Sequence, residues 1–276
     1  MVVHGFAADG GSWLPFITPF LHRHQFIVPD LRGFGRSHDL PFVQACALTQ
    51  FAHDLGDTLR ALRIERAGLV GISMGALSSV QAFELGEAAS IDRYMHIDQG
   101  PVIHNGPAYP HGLLGDAQAQ FFIELRALLD ELEQEHFTKP WPALPAHLRN
   151  EFWRLLGVFG AAAFTSQAAQ RFLAWAAKRE TLMMRAMPTR NWQVYMSVVR
   201  SYTERAYDLR ESFRKIQVPL TVLIGGGSRM YPAPGQRAIA DYAPHARVRE
   251  IPRVGHMIPY EAPRLFLREL SAFLAA

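Results

Sequence analysis

The sequence VGISMGA, residues 70–76, places a polar serine between two glycines where an apolar run ends and a helical pattern begins. A turn that sharp between a strand and a helix holds its central residue in a strained conformation, and the residues two positions away must be small. Gly71 and Gly75 meet that requirement. The stretch therefore predicts a nucleophile at Ser73, and a turn without catalytic consequence is the alternative.

Outside this stretch, short apolar or β-branched runs alternate with helical patterns, of which the two nearest cover residues 48–62 and 74–85. Such alternation is typical of a parallel sheet covered by helices on both faces. We therefore predict an α/β fold whose sheet has at least six strands. The runs lie at residues 1–3, 25–28, 67–70, 93–97, 219–224 and 248–251.

The alternation stops between about residues 102 and 212, where almost every pattern is helical. An insertion of that size between two strands indicates a lid or cap. We expect a core formed by residues 1–101 and 213–276, with a helical cap at residues 102–212. The cap helices are predicted at about 115–135, 146–159, 165–184 and 188–201.

A serine hydroxyl is a weak nucleophile at neutral pH, so its proton must pass to a base that a third group orients. His256 lies in PRVGHMIPYEAP, residues 252–263, within the predicted loop after the last strand. Ligands of open α/β sheets gather at the carboxyl ends of the strands. His256 is therefore the predicted base, and a hydrogen-bonded loop histidine is the alternative.

The negative charge that develops on the substrate oxygen needs hydrogen-bond donors at the same edge of the sheet. The segment HGF, residues 4–6, follows the first apolar run, and a glycine-containing bend can aim backbone N–H groups at that oxygen. We assign this oxyanion hole to the N–H groups of Phe6 and Met74. A simple turn that ends the strand is the alternative for residues 4–6.

Four motifs occur along the chain in a recognisable order: HGF (4–6) followed by Trp13, PDLRGFGRS (29–37), GISMGA (71–76) and VGHMIPYEAP (254–263). In this order and spacing the chain resembles the α/β-hydrolase family. The resemblance covers both flanks, while the middle matches only as a variable cap. It implies a catalytic triad in the order nucleophile, acid, histidine, with neither a metal nor an organic cofactor.

The position of the acid departs from the usual pattern of similar hydrolases, in which it follows the strand equivalent to residues 219–224. Here the next residues, 225–229, read GGGSR and hold no carboxylate. The strand before the cap ends in HIDQGP, and some family members carry their acid there, so we assign the acid to Asp98. One alternative is that Asp98 is a structural capping residue at the entrance to the cap, and another is a dyad without an acid. Asp208 and Glu261 are less favoured candidates for the acid because neither follows a strand end.

A second departure lies at the start, because similar hydrolases usually have a β-hairpin before the HGF strand and this sequence begins inside that strand. The hairpin is therefore expected to be missing, either by truncation or by true absence of the two edge strands. An uncovered sheet edge can pair with another chain. We expect a monomer or a homodimer.

Aromatic and methionine side chains crowd the predicted cap, and a few of them are expected to line the cleft above Ser73. The residues that we expect to contact the substrate are Trp13, Phe6, Trp192 and Met257.

These residues together predict a serine hydrolase that cleaves carboxylic esters with an apolar acyl or alcohol part through an acyl-enzyme intermediate. In similar folds the same triad also cleaves thioesters, lactones and carbon–carbon bonds, or transfers acyl groups, and these activities stay open. A non-catalytic receptor for a small apolar ligand is the alternative of a different class, and the missing carboxylate near Ser228 favours it.

Composition excludes several other classes of protein. The 276 residues carry a formal net charge of +3, and the basic residues are scattered, so we expect no nucleic-acid partner. No stretch approaches the roughly 18 uncharged apolar residues of a membrane span, and the first residues lack the features of a secretion signal. The single cysteine, Cys46, excludes an intramolecular disulfide and fits a reducing compartment. We therefore expect a cytoplasmic protein without a membrane partner.

Overall fold

The computed structural model describes residues 1–43, 46–187 and 191–276, and a parallel sheet lies at its centre. Within these residues the sheet has five strands in the order β1-β2-β3-β4-β5, and each neighbouring pair is parallel. Parallel neighbours require crossover connections, which the helices between the strands provide. The strands are β1 (Val2–Val3), β2 (Ala67–Ile72), β3 (Ile91–Ile97), β4 (Leu220–Gly225) and β5 (Arg247–Ile251).

The expectation of a strand at residues 25–28 is wrong, and with it the expectation of at least six strands for the described part of the chain. The segment still runs beside the edge of the sheet, because Val2 N–H donates to the Ile27 carbonyl at 2.9 Å. Two features limit its pairing. The neighbouring β1 is only two residues long, and Pro29, which follows the segment, has no N–H to donate to a ladder.

Helices connect the strands and confirm the two helical patterns around the predicted nucleophile. The pattern predicted at 165–184 forms two helices rather than one, and the first residues of the pattern predicted at 188–201, namely 188–190, lie outside the described residues. No helix among the described residues combines the length and apolar character needed to cross a membrane. The α-helices are α1 (Leu14–Ile17), α2 (Ala47–Ala61), α3 (Met74–Glu84), α4 (Gln118–Glu135), α5 (Ala146–Ala162), α6 (Gln167–Ala176), α7 (Glu180–Ala186), α8 (Trp192–Glu204), α9 (Arg210–Arg214), α10 (Ala233–Arg237), α11 (Ile239–Tyr242), α12 (Ile258–Glu261) and α13 (Pro263–Ala275), and single 3₁₀ turns form at Gly10–Trp13, Thr18–Phe20, Gly35–Ser37, Gly115–Ala117 and Trp141–Ala143.

Apolar side chains cover both faces of the sheet, which explains why its strands read as continuous apolar runs. Successive residues of a strand point to opposite faces. In β2, Leu69 belongs to the cluster that includes α2 and α3, whereas Val70 belongs to the cluster that includes α13. The sheet is thereby held between two helical layers, and its carboxyl edge is left for the loops that carry the candidate site.

Helices α4 to α8, called the inserted helices below, lie between β3 and β4 in the chain. Their centre is a group of aromatic rings in edge-to-face contact, in which Trp141 meets both Phe152 and Trp153 at centroid distances of 4.8 and 5.4 Å. These rings belong to the same apolar cluster as α2 and α3. The inserted helices are therefore packed onto the rest of the fold rather than connected to it by the chain alone.

Candidate active site

Ser73 lies in a strained turn directly between β2 and α3, with φ of 54° and ψ of −125°. A positive φ at a residue other than glycine costs about 1–3 kcal/mol and persists only where the surroundings enforce it. One such constraint is the hydrogen bond from Ser73 N–H to the Ile97 carbonyl on β3, at 3.0 Å. The sharp turn predicted from the sequence is confirmed.

The two glycines around this turn are required by backbone contacts. A Cβ atom on Gly75 would lie 2.5 Å from the carbonyl oxygens of Val3 and His4, and one on Gly71 would lie 2.7 Å from the Gly75 carbonyl oxygen. Real Cβ atoms essentially never approach backbone this closely. The chain passing through β1 thus presses directly against the turn that presents Ser73.

Asp98 and His256 form a buried hydrogen-bonded pair although they lie 158 positions apart in the chain. The Nδ1–H of His256 donates to Asp98 Oδ2 across 2.7 Å, with 0% of Asp98 and 3% of His256 exposed. Asp98 follows β3 directly and has a φ of 42°, a second strained residue at this edge of the sheet. Because the carboxylate binds Nδ1, the imidazole keeps Nε2 for exchange of a proton with a ligand.

Three neutral donors hold the Asp98 carboxylate in addition to the imidazole. Oδ1 accepts from Gly225 N–H at 2.8 Å and from Gln236 Nε2 at 3.0 Å. Oδ2 accepts from the Ser228 hydroxyl at 2.6 Å. Hydrogen bonds to the charged form offset the cost of burying a carboxylate. Sequence reasoning missed Ser228 and Gln236 as partners of the acid.

A signal for Ser228 was present, because this residue stands in the GGGSR stretch where similar hydrolases carry their acid. A hydroxyl at that position can donate a hydrogen bond to the carboxylate of Asp98, which follows the neighbouring strand. Gln236 gave no such signal, since it lies within α10 and its side chain reaches Asp98 only through the tertiary fold.

The other acidic candidates lie elsewhere. Asp208 pairs with Arg210 at 2.5 Å. Glu261 accepts hydrogen bonds from Gly255 N–H at 2.8 Å and from the Thr165 hydroxyl at 2.6 Å, and so ties the loop that carries His256 to the inserted helices. Within the described residues, no group of three or more histidine, cysteine, aspartate or glutamate side chains is arranged to hold a metal ion.

His4, which sequence reasoning did not single out as a site residue, anchors the loop of residues 4–6. Burial lowers the pKa of its imidazole. The neutral ring can then donate from Nδ1–H to the Gly5 carbonyl at 2.8 Å and accept Leu31 N–H at Nε2 at 2.9 Å. His4 therefore fixes the loop beside the turn at Ser73 without contributing a charge.

The two predicted oxyanion donors lie on either side of this turn. Met74 is the first residue of α3, where a backbone N–H has no acceptor within the helix. Phe6 follows Gly5, whose Cβ, if it had one, would lie 3.2 Å from the Cβ of Ser73. Among the hydrogen bonds of the described residues, neither the Phe6 nor the Met74 N–H has an acceptor, so both remain for a ligand.

Ser73 and His256 line the same cavity, called the outer cavity below, which has a volume of about 300 Å³. Trp13, Phe6 and Met257, three of the residues expected to contact the substrate, also line it. The inserted helices contribute Leu156, Phe159, Leu173 and Met183 to its wall, and the loop between α5 and α6 contributes Phe164.

Trp192 lies apart from the other residues expected to contact the substrate. It has no exposed surface, its indole N–H donates to the Lys139 carbonyl at 3.1 Å, and its ring packs on Phe137. It is not among the described residues that line either cavity containing Ser73. At the start of α8, its side chain points into the core of the inserted helices, so the expected contact with substrate is not supported.

The hydroxyl of Ser73 and the imidazole of His256 share the outer cavity, but no hydrogen bond between them occurs among the contacts of the described residues. Catalytic hydrogen bonds are often long in ligand-free enzymes and tighten when substrate binds. Without a ligand, the strained Ser73 and the buried imidazole of His256, oriented by Asp98, lie in the wall of the same cavity.

A model described as the alpha/beta hydrolase family matches residues 1–269, so the chain belongs to that family. Among curated proteins, the chain is 32% identical over 81 residues to RutD of Escherichia coli O139:H28, provisionally named a carbamate hydrolase. The aligned residues make up 29% of this chain and 30% of RutD. It is 33% identical over 72 residues to 3-oxoadipate enol-lactonase 1 of Acinetobacter baylyi, which is 26% of each chain. The alignments thus span less than a third of the length of these relatives.

Among solved structures, an esterase from Exiguobacterium antarcticum superposes with a TM-score of 0.73 at 19% identity, covering 100% of this chain and 91% of the esterase. The superposition establishes the fold, but a sequence identity this low says nothing of the substrate, which must be argued from the site. The α/β-hydrolase fold expected from the sequence motifs is confirmed.

Proposed function

We propose that the protein is a serine hydrolase that cleaves carboxylic esters with an apolar acyl or alcohol part. One observation carries the proposal: the strained Ser73 and the buried His256–Asp98 pair meet at the wall of one largely apolar cavity. Membership of the alpha/beta hydrolase family supports hydrolysis as the reaction class.

In the first half of the reaction, Ser73 Oγ attacks the acyl carbon while Nε2 of His256 takes the hydroxyl proton. The oxygen of the former carbonyl gains negative charge and accepts hydrogen bonds from the N–H groups of Phe6 and Met74. Asp98 holds the imidazole in the required tautomer and stabilises its charged form. The bond from carbon to the alcohol oxygen then breaks, and the alcohol leaves with the proton from His256.

In the second half, water takes the place of the alcohol. His256 removes one proton from the water, the hydroxide attacks the acyl carbon, and the bond to Ser73 Oγ breaks as the serine regains its proton. The carboxylic acid leaves, and the enzyme returns to its starting state. In this proposal residues 102–212 act as a cap, because their side chains form part of the wall of the outer cavity.

The relatives favour one further activity of the same site. A lactone is a cyclic ester, and the similarity to an enol-lactonase makes lactones the first additional substrates to test. A receptor without catalysis, the alternative of another class, has no need of a base beside the serine, so the hydrogen-bonded His256–Asp98 pair at the cavity of Ser73 favours the enzyme.

The proposal is tested with p-nitrophenyl esters and a fluorophosphonate label on the purified protein and on Ser73→Ala. We expect labelling at Ser73 and a loss of turnover on the order of 10⁶-fold in the variant. Ser271→Ala, which changes an exposed serine on α13, is the matched control and should keep both label and turnover. Retention of most esterase activity by Ser73→Ala would contradict the mechanism, and tight ligand binding with neither label nor turnover would favour the receptor.

A further inference from the structure

Two cavities of unequal size meet at Ser73. The outer cavity has a volume of about 300 Å³, whereas a second cavity, called the inner pocket below, has a volume of about 40 Å³ and is lined mainly by α4, α5 and α8. A group the size of a water molecule needs roughly 10–15 Å³ of cavity volume. The inner pocket therefore holds about three groups of that size. Four residues belong to both walls: Phe6, Ser73, Leu156 and Phe159.

The position of His256 decides which half of an ester enters which cavity. His256 lines the outer cavity and is not among the described residues of the inner pocket. The departing alcohol oxygen must receive its proton from Nε2 of His256, so the alcohol has to lie on the side of the imidazole. The acyl chain, bonded to the carbon that Ser73 attacks, is left to enter the inner pocket.

The wall of the inner pocket is apolar and closely packed. Leu125 and Leu128 of α4 and Phe152 of α5 are each at most 3% exposed. Besides Ser73, its polar lining groups within the described residues are the hydroxyls of Tyr202 and Tyr231, and no charged side chain faces it. Such a wall binds a short hydrocarbon chain and offers no partner for a charged or strongly polar acyl group.

We propose that this protein selects esters by the length of their acyl chain, accepting acyl groups of about two to four carbons together with much larger alcohols. The inference rests on the proposed function and deepens it. The inner pocket limits the acyl group because its volume is small and its wall consists of buried, packed side chains, while the alcohol, whose bond to the acyl carbon breaks, departs through the larger outer cavity.

Two ester series test the assignment with the full chain. The first keeps p-nitrophenol as the alcohol and lengthens the acyl group from acetate through butyrate to octanoate. The second keeps acetate and enlarges the alcohol from ethyl through butyl to octyl, so that every leaving group is a primary alkyl alcohol of similar acidity. We expect kcat/KM to fall at least about tenfold between butyrate and octanoate, the size of effect that excluded methylenes produce, and to vary far less along the alcohol series.

A variant then tests the wall itself. Leu125→Ala removes side-chain volume from the inner pocket and should raise kcat/KM for octanoate relative to butyrate by about tenfold. If Leu125→Ala fails to fold, Leu128→Ala, which enlarges the same pocket, replaces it and should have the same effect. Leu173→Ala, in the wall of the outer cavity, is the matched control: it should alter the alcohol series and leave the acyl ranking as in the unchanged protein.

The outcomes separate this inference from the proposed function. Turnover that depends on Ser73 but prefers octanoate, or an alcohol series steeper than the acyl series, overturns the pocket assignment and leaves the serine hydrolase intact. A shift of the alcohol series by Leu125→Ala overturns it as well. Absence of any Ser73-dependent ester turnover overturns both proposals.

Discussion

The carboxyl edge of the sheet and the inserted helices meet at Ser73, but they are built in different ways. At the sheet edge, backbone contacts and buried hydrogen bonds fix each polar group: Ser73 and Asp98 have positive φ, and the Asp98 carboxylate has four donors. The inserted helices contribute apolar side chains to the cavity walls and few polar groups. Under the proposed function, the first region supplies the catalytic groups and the second determines which substrates fit.

This difference predicts how the two regions respond to substitution. A polar group at the sheet edge has one geometry in which it works, so losing it should lower kcat. An apolar side chain in the inserted helices fills space, so changing it should alter which substrates bind well. The following substitutions test that division, in order of decreasing effect.

Of these substitutions, Asp98→Asn should have the largest effect, lowering kcat roughly 10⁴-fold, because an amide favours the wrong imidazole tautomer while keeping the shape of the side chain. The measurement is p-nitrophenyl ester turnover, with circular dichroism to confirm folding. Asp208→Asn, which changes a carboxylate paired with Arg210 instead of a histidine, is the matched control and should keep kcat. An unchanged kcat in Asp98→Asn would indicate a dyad.

A pair of glycine substitutions compares the backbone of the two regions. Gly75→Ala forces a Cβ to 2.5 Å from two carbonyl oxygens and should lower the free energy of unfolding by about 3 kcal/mol or prevent folding. Gly160→Ala in α5 meets only Leu173 Cδ1 at 3.8 Å, an ordinary contact, and should raise stability by about 0.5 kcal/mol through helix propensity. Urea unfolding measures both. Equal effects would refute the contrast between a fixed edge and adaptable helices.

Ser228→Ala should have the smallest effect on turnover, a decrease in kcat of about tenfold, because it removes one of four donors to Asp98 and leaves the bond to His256 in place. Ser228→Thr keeps the hydroxyl and should restore most of the lost activity. The result that speaks against a positioning role is a Ser228→Ala variant as active as the unchanged protein.

Local sequence was sufficient where backbone sterics act over a few residues. The turn at Ser73 follows from two glycines, a preceding apolar run and a following helix, and the structure has that turn. The same kind of reasoning failed for residues 25–28. A strand needs a partner ladder as well as a favourable composition, and the two residues of β1 supply too little of one.

By itself, then, the sequence determined the fold class and the strained turn at Ser73, and the motifs indicated His256 and, with alternatives, Asp98. Only the tertiary structure decided that Ser228 and Gln236 hold Asp98, that Trp192 belongs to a helical core, and that two cavities of different size meet at the serine. The reason is physical. Steric limits on φ and ψ act between chain neighbours and leave a mark in short motifs, whereas the direction of a side chain is set by packing against residues far away in the chain.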